Sequence, residues 1–434
     1  MQLIKKIFYT VVVLALIVSG GYYFTTHKQA AETATYKTEA EADPYVRFGM
    51  EAFDLIQANY WDETSHYDLP NIMKLSLEKA TGVPQTIASS TRFATAQMFE
   101  SALKTATTTD AKKNLVVNTL IIATYNLQPA GRNGMLSATQ EKELRQTVSN
   151  VNPAKDLYQD LGIEKGASIA DVKVASARKE SELKASTTPE AKAELVKVAY
   201  AKKVLTDENS KQLYDQGQIE PTVWTHKIGN TLYLYVSQIA PTTFIEFARA
   251  IDNASTTPNL NSMILDFRGN IGGDLGFAQN FLGLFMGQNQ YAFDLFHQGK
   301  YDAQRTVQPK FGELDRYKEF AILTDNMTQS TAEVVSAAFK RLHLGRTVGA
   351  NSRGWGTVEN TYPITTEIDP NTKYTLLLVN SITMRDDNQP IEGRGVDPDV
   401  STADPKWKSK LSSYFNSQSL ITALGQTAAS PVLK

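Results

Sequence analysis

The chain has 434 residues, several times the size of a usual single domain, so we expect two to four structural units. Apolar residues make up 42% and charged residues 21%, a globular composition that excludes collagen-like or wholly disordered chains. The formal net charge of −2 gives no overall positive field to gather nucleic-acid phosphates. Cysteine is absent, which excludes disulfides and thiol nucleophiles, and five scattered histidines argue against a histidine-rich metal centre. We therefore predict no metal, cofactor or nucleic-acid partner.

The first 24 residues have the pattern of a membrane anchor or a signal peptide. Lys5 and Lys6 precede an uncharged apolar run over residues 7–24, about as long as a bilayer-spanning helix. The run exceeds a usual signal peptide core and has no clear cleavage site after it, which favours an uncleaved anchor. The two lysines then orient the folded part outside the cytoplasm, tethered to a cell membrane by a polar linker over residues 25–44.

Two regions of helical periodicity follow. From residue 45 to 151, apolar residues such as Phe48, Phe53 and Ile56 recur at helical spacing, which predicts an N-terminal helical domain. Residues 152–219 keep this spacing but carry many lysines and glutamates, which is typical of a small, solvated helical bundle.

The pattern changes after Thr231, where strand-like and helix-like segments alternate. Predicted strands cover 232–236, 262–267 and 320–324, and predicted helices cover 242–250, 275–285 and 330–342. Such alternation predicts a parallel sheet covered by helices. Residues 349–384 are rich in Thr, Val and Tyr, which predicts an antiparallel β addition, and residues 403–434 form a C-terminal tail.

A glycine-rich turn, Asp266 to Gly273, directly follows one of the buried strands. Ligands on α/β sheets bind outside the carboxyl ends of strands, and glycines let backbone N–H groups approach a ligand closely. The turn suits a phosphate or an oxyanion. It lacks the P-loop lysine and the dinucleotide glycine spacing, so we expect no nucleotide partner.

A second strand-to-helix junction places Ser330 at the start of a helix, and two interpretations of this serine are open. Ser330 and Glu333 have the spacing of a capping box, which is a purely structural role. A serine at a helix N-terminus is also well placed for nucleophilic catalysis, because the helix dipole favours developing negative charge.

Taken together, these junctions resemble the C-terminal processing, or tail-specific, serine proteases, whose core carries a D-x-R-x-N-x-G-G turn, then a short strand and an S-A-S-x-E turn with the nucleophilic serine. The matching residues here are 265–273 and 330–333. Residues 392–400, EGRGVDPDV, resemble the closing strand of that core, and Tyr60-Trp61-Asp62 and Leu127-Gln128-Pro129 resemble turns of its N-terminal region. The resemblance implies an α/β crotonase-like (ClpP/crotonase-type) protease core over residues 220–402. It assigns Ser330 as the nucleophile and places the oxyanion hole at Gly272 or Gly273 and Thr331.

The usual general base of that family is missing. Trp355 stands where the family has a lysine, and Ala130 stands where a related, tricorn-type branch has a histidine. Glu392 matches the catalytic glutamate of that branch, and Glu359 follows Trp355 closely. We therefore expect Glu392 or Glu359 to take the proton from Ser330. His343 lies at the far end of the Ser330 helix, where capping is the simpler role.

The segment between the matched regions resembles a J domain rather than the PDZ domain usual in the family. Its D-L-Y-Q-D-L-G start and its final Leu213-Tyr214-Asp215 carry this resemblance, but Lys184-Ala185-Ser186 stands where the His-Pro-Asp loop would be. We expect a structural spacer of three helices without chaperone stimulation. Its predicted independent core comprises Leu157, Leu161, Val172, Leu195, Tyr200, Leu205 and Tyr214.

The sequence thus predicts a membrane-anchored, extracytoplasmic serine endopeptidase that hydrolyses unfolded or C-terminally exposed polypeptides through Ser330. The alternative, which the missing lysine keeps open, is a catalytically inactive relative that binds peptides or organises partners.

Overall fold

A computed structural model of the chain describes residues 37–63 and 68–433. The predicted anchor over residues 1–24 and most of the predicted linker lie outside these residues. Within the described residues, no helix is both long and apolar enough to cross a membrane. The chain divides into two compact units, and the chain passes between them more than once.

Among the described residues, the first unit comprises residues 37–58, 68–135 and 362–376. Apolar residues at helical spacing, among them Val46, Met50 and Phe53, are buried along one side of its first helix. Thr91 and Thr108 cap the third and fourth helices by accepting backbone N–H bonds. The helices are α1 (Pro44–Asn59), α2 (Asp68–Thr81), α3 (Arg92–Leu103) and α4 (Thr109–Asn126). The helical domain predicted over 45–151 is thus joined by a later segment, and residues 136–151 belong to the second unit.

The second unit contains a six-stranded sheet that has the predicted strand and helix alternation. Its strand order is β11-β8-β7-β4-β3-β2, and every pair is parallel except the β2–β3 hairpin. Two inner strands, β3 and β4, are fully buried, as their largely apolar sequences favour. The strands are β2 (Val223–Ile228), β3 (Thr231–Val236), β4 (Ser262–Asp266), β7 (Glu319–Thr324), β8 (Arg346–Gly349) and β11 (Val400–Ser401).

A smaller antiparallel sheet accounts for the region predicted as an antiparallel addition. In it, β10 pairs with β5, β5 pairs with β6, and β9 also pairs with β10. The β5–β6 hairpin had no clear sequence signal, because its second strand, KYDAQR, is almost entirely polar and exposed. The strands are β5 (Tyr291–His297), β6 (Lys300–Arg305), β9 (Thr357–Pro363) and β10 (Tyr374–Thr383), and β1 (Gly134–Ser137) lies where the chain leaves the first unit.

The remaining helices also lie in the second unit. Three of them, at 243–254, 276–286 and 331–341, follow strands of the large sheet, close to the predicted ranges. The helices are α5 (Ala138–Val148), α6 (Leu157–Leu161), α7 (Ile169–Lys184), α8 (Pro189–Thr206), α9 (Glu208–Gly217), α10 (Thr243–Ala254), α11 (Gly276–Met286), α12 (Thr331–Arg341), α13 (Trp407–Lys410) and α14 (Gln418–Thr427).

The charged segment at 152–219 forms four helices, α6 to α9, and the prediction of three was wrong. Its predicted independent core was also wrong, since one buried cluster continues from Leu157 and Val198 of the bundle to Trp224 and Tyr233 of the sheet. Leu195 lies only half-buried and outside this cluster. Helical periodicity detects the apolar side of a helix, but it does not say what that side packs against.

His226 on β2 provides a pH test of the packing between bundle and sheet. Its Nε2 atom is buried without a hydrogen-bond partner among the described residues, and its ring lies 6.1 Å from that of Tyr233. Burial, with help from Lys203, lowers the pKa of His226 below its usual value. Stability should be complete above about pH 6.5 and be lost as the pH falls towards the lowered folded pKa, because only the unfolded chain then binds the proton readily.

We therefore expect the free energy of unfolding in urea to drop between about pH 7.5 and about pH 5.5, and His226→Phe to reduce this drop. An equal drop in wild type and His226→Phe would assign the effect to other groups. Each variant is to be measured against wild type in the same buffers, since carboxylates also titrate at the acid end of this range.

Candidate active site

The two predicted junctions lie side by side at the carboxyl ends of neighbouring strands. β4 and β7 are parallel neighbours, with Leu265 opposite Ile322, so the loops that follow them leave the same edge of the sheet. The N–H of Gln329 donates to Asn270 O at 2.9 Å, and the N–H of Gly269 donates to Asp325 Oδ1 at 2.9 Å. The glycine-rich turn and the serine turn therefore form one continuous site.

Ser330 immediately precedes α12 and has an unusual backbone conformation. Its φ of 57° with ψ of −130° is a region that side-chain-bearing residues rarely adopt. Its N–H donates to Glu333 Oε2 at 2.8 Å, as the predicted capping arrangement requires. The hydrogen bond to Glu333 uses the backbone N–H of Ser330 and not its hydroxyl. The capping role is therefore compatible with a catalytic role of the hydroxyl.

Gly272 lies directly against Ser330. A Cβ atom added to Gly272 would stand 2.5 Å from Ser330 Cβ, and the φ of this glycine is +78°, so no other residue fits here without movement. Its N–H, however, donates to Asn270 Oδ1 at 2.8 Å, and that hydrogen bond occupies the donor. Gly272 is thus a close neighbour of Ser330, while its predicted role as an oxyanion donor is not supported by this geometry.

Two other backbone donors remain. Across residues 37–63 and 68–433, the N–H groups of Gly273 and Thr331 donate no hydrogen bond. Thr331 Oγ1 donates to Gly273 O at 2.9 Å, so the two residues are in direct contact. Thr331 is the first residue of α12, where N–H groups have no partner within the helix. Both groups are available to an oxyanion at Ser330.

The carboxylate of Glu333 connects the serine turn to the loop after β8. It is fully buried, with 0% exposure, and accepts four hydrogen bonds, two on each oxygen. Oε2 accepts from the N–H groups of Ser330 and Trp355, both at 2.8 Å, and Oε1 accepts from Ser352 Oγ at 2.5 Å and Gly354 N–H at 2.7 Å. Burial raises the pKa of Glu333, and the four donors act against that rise.

Because each oxygen of Glu333 faces at least one backbone N–H, an amide cannot replace the carboxylate without a clash of donors. We expect Glu333→Gln to lower the free energy of unfolding by about 2 kcal/mol. Urea unfolding measures this, with Glu164→Gln as the control, since Glu164 is exposed and outside the network. Equal unfolding midpoints for Glu333→Gln and wild type would contradict the assigned role.

A buried ion pair between Asp266 and Arg268 fixes the start of the glycine-rich turn. Asp266 is 0% exposed and accepts from Arg268 Nε at 2.9 Å, and Tyr233 donates its hydroxyl to the same carboxylate at 2.5 Å. Arg268 Nη1 continues to the carbonyl of Ser430 at 2.6 Å, in the segment after α14. The C-terminal tail therefore helps to fix the start of the glycine-rich turn.

The two predicted base candidates both lie at the loop around Trp355. Glu359 accepts from the indole N–H of Trp355 at 2.9 Å and from Thr357 Oγ1, and Glu392 Oε2 accepts from Gly356 N–H at 2.8 Å. Neither carboxylate accepts a hydrogen bond from Ser330 Oγ in the described part of the chain. His343 lies at the opposite end of α12, as predicted.

Comparison with known proteins identifies the core. Residues 230–402, which hold both junctions and both base candidates, match peptidase family S41. The chain carries an S41 serine-peptidase domain. Over residues 230–402, this match confirms the predicted relationship to the C-terminal processing serine proteases, and it assigns this segment to the serine-type peptidases. No curated protein matches the chain.

Several solved structures resemble the chain at low sequence identity. The photosystem II D1 C-terminal processing protease is 13% identical, with a TM-score of 0.49 over 83% of this chain and 93% of its own. A lipoprotein from Streptococcus agalactiae is 14% identical, with a TM-score of 0.45 over 88% of this chain and 100% of its own. The tricorn protease is 15% identical, with a TM-score of 0.39 over 91% of this chain and 38% of its own.

One feature of the site was not predicted from the sequence. Glu333 was expected to act as a cap, but its carboxylate also accepts from Ser352 and Trp355, which lie about twenty residues later in the chain. The S-x-x-E spacing was the available signal for Glu333 itself, whereas local spacing does not indicate hydrogen-bond partners from a distant loop.

Proposed function

We propose that the chain is a serine endopeptidase of the C-terminal processing type that hydrolyses unfolded or C-terminally exposed polypeptides through Ser330. The observation that carries the proposal is the geometry at Ser330: a serine with a strained backbone at the start of α12, beside two unoccupied backbone donors. The family match at 230–402 supports the same reaction class.

In the proposed reaction, Ser330 Oγ attacks the carbonyl carbon of the peptide bond and loses its proton to a base. The carbonyl oxygen becomes an oxyanion, which the N–H groups of Gly273 and Thr331 stabilise as the charge develops. The intermediate then collapses: the C–N bond breaks, the leaving amine takes the proton that the base received from Ser330, and the acyl-enzyme remains. Water hydrolyses this ester, which releases the acid product and restores the Ser330 hydroxyl. Gly272 shapes the site by allowing the turn to lie against Ser330.

For the base we propose a carboxylate, Glu392 or Glu359. Trp355 replaces the lysine of the family, and its indole N–H only donates, so it accepts no proton. Both glutamates lie at the loop around Trp355. The backbone N–H of Trp355 and that of Ser330 donate to the same Glu333 carboxylate, which links this loop to the serine turn. Catalytic hydrogen bonds are often long before substrate binds and shorten in the complex, so the present separation from Ser330 Oγ is compatible with this role.

We further propose a location and a role for the insert. The apolar run over residues 7–24 supports a single-pass anchor in the cell membrane, with the S41 domain outside the cytoplasm. The helices at 157–217 support a spacer, since their buried cluster is continuous with the sheet. Fractionation of cells followed by protease treatment of intact spheroplasts tests the anchor: protection of the S41 domain from added protease would contradict it.

The activity test uses the full chain and an unfolded, casein-like protein as substrate. Mass spectrometry of the products identifies the cleaved bonds. A compact, folded globular protein, offered in place of the unfolded substrate, is the control and should remain intact. Complete absence of cleavage at micromolar concentrations of the protein would contradict the proposed hydrolysis and favour a peptide-binding relative.

A further inference from the structure

Arg353 is an exposed cation next to the serine turn. Its N–H donates to Thr328 O at 2.8 Å, two residues before Ser330, and its guanidinium carbon lies 5.8 Å from the centre of the Trp355 ring. Elsewhere in the described chain, exposed arginines such as Arg145 pair with carboxylates. Arg353 forms no ion pair with any described carboxylate, so its charge is available to a ligand.

A second exposed cation comes from the neighbouring segment. Arg394 lies against the loop that carries Arg353, because Asn351 Nδ2 donates to Arg394 O at 2.8 Å. A Cβ atom added to Gly354 would stand 2.8 Å from Arg394 N, so the two backbones are in close contact there. Arg394 also has no ion pair among the described residues, although it acts at longer range on Asp387.

The carboxylates of this loop region already accept other donors. Glu333 has its four hydrogen bonds, Glu359 accepts from Trp355, and Glu392 accepts from Gly356. These carboxylates keep their negative charge, but none of them forms an ion pair with Arg353 or Arg394 among the described residues, so both guanidinium groups keep donors free for a ligand. Free guanidinium donors beside a reactive serine suit a carboxylate of the substrate.

We propose that Arg353, supported by Arg394, binds a carboxylate of the substrate beside the peptide bond that Ser330 cleaves. This inference rests on the proposed function and adds a substrate preference to it, namely for polypeptides with a carboxylate near the cleaved bond. A guanidinium binds a carboxylate with two parallel hydrogen bonds, and the cation–π contact with the Trp355 ring helps to hold the Arg353 side chain in place before binding. The carboxylate comes either from the substrate's C-terminus or from an aspartate or glutamate side chain.

The test compares three short, unstructured peptides of alanine, leucine and serine: one with a free C-terminus, one amidated, and one amidated with an internal glutamate. Binding is measured with the full-length Ser330→Ala variant, and kcat/KM with the active-serine chain. We expect the free acid or the internal glutamate to bind about tenfold more tightly than the plain amide, an advantage that shrinks as salt is added. Whichever carboxylate gives the advantage identifies the source.

The same comparison in Arg353→Gln should reduce the preference to near unity, and Arg353→Lys should retain part of it, because lysine keeps the charge but loses the planar fork. Arg346→Gln is the matched control, since Arg346 is an exposed arginine at the opposite end of the parallel strands. Equal preference in wild type and Arg353→Gln would overturn the inference.

Failure of this inference and failure of the proposed function give different results. Hydrolysis of all three peptides at equal rates contradicts the carboxylate site and leaves the protease intact. Carboxylate-dependent binding by the Ser330→Ala chain, with no hydrolysis by the wild type, supports the site and contradicts the protease.

Discussion

Ser330→Ala is expected to lower kcat on an unfolded protein substrate by at least about a thousandfold, the scale seen when a serine nucleophile is removed. The substitution removes the atom that forms the acyl-enzyme but keeps the Cβ atom that lies against Gly272. It also leaves the N–H bond to Glu333 in place. The substrate should therefore still bind, so the loss should appear in kcat rather than in KM.

Ser330→Gly separates the chemical role of this residue from its backbone conformation. A φ of 57° is strained for alanine as for serine, whereas glycine adopts it freely. We expect Ser330→Gly to be as inactive as Ser330→Ala. Its free energy of unfolding should be about 1 kcal/mol higher than that of Ser330→Ala. Ser412→Ala, at an exposed serine far along the chain, should match wild type in both measurements. Substantial activity in Ser330→Gly would exclude Ser330 as the nucleophile.

The fold could be predicted where the sequence pattern is strong. The buried strand at 262–266 has an apolar centre, Met263 to Leu265, and the helix after it has clear periodicity, so their order and parallel arrangement followed from the sequence. The hairpin strand β6 has no apolar alternation because it is an exposed edge strand, and polar edges protect sheets against pairing with other chains. A pattern based on burial does not detect such a strand.

The candidate site was predictable in part for a related reason. Ser330 and Gly272 follow directly from two strand ends, and strand ends meet at one edge of a parallel sheet. The use of each donor was not predictable, because the N–H of Gly272 is taken by the side chain of Asn270, two residues earlier. Local sequence indicates which residues meet, whereas side-chain hydrogen bonds decide which of their groups stay available.

If the chain is active, Glu392→Gln or Glu359→Gln is expected to lower kcat by at least about a hundredfold, the usual scale for loss of a general base. Both carboxylates already accept hydrogen bonds, Glu359 from the Trp355 indole and the Thr357 hydroxyl and Glu392 from the Gly356 N–H, so the variant with the larger loss identifies the base. Glu359→Gln should also disturb the orientation of Trp355. Steady-state rates on the same unfolded substrate, with Glu164→Gln as control, distinguish these cases.

Trp355→Lys is the complementary test, because the backbone of residue 355 already shares the Glu333 carboxylate with Ser330. A lysine there would lie close to the serine turn, where partial burial favours its neutral, basic form. In an active, carboxylate-dependent enzyme the substitution should rescue Glu392→Gln at least in part, since a second base becomes available. Wild-type rates in both Glu392→Gln and Glu359→Gln would contradict the carboxylate mechanism. Activity that appears only in Trp355→Lys would mean that the natural chain has lost the reaction and keeps the site for binding.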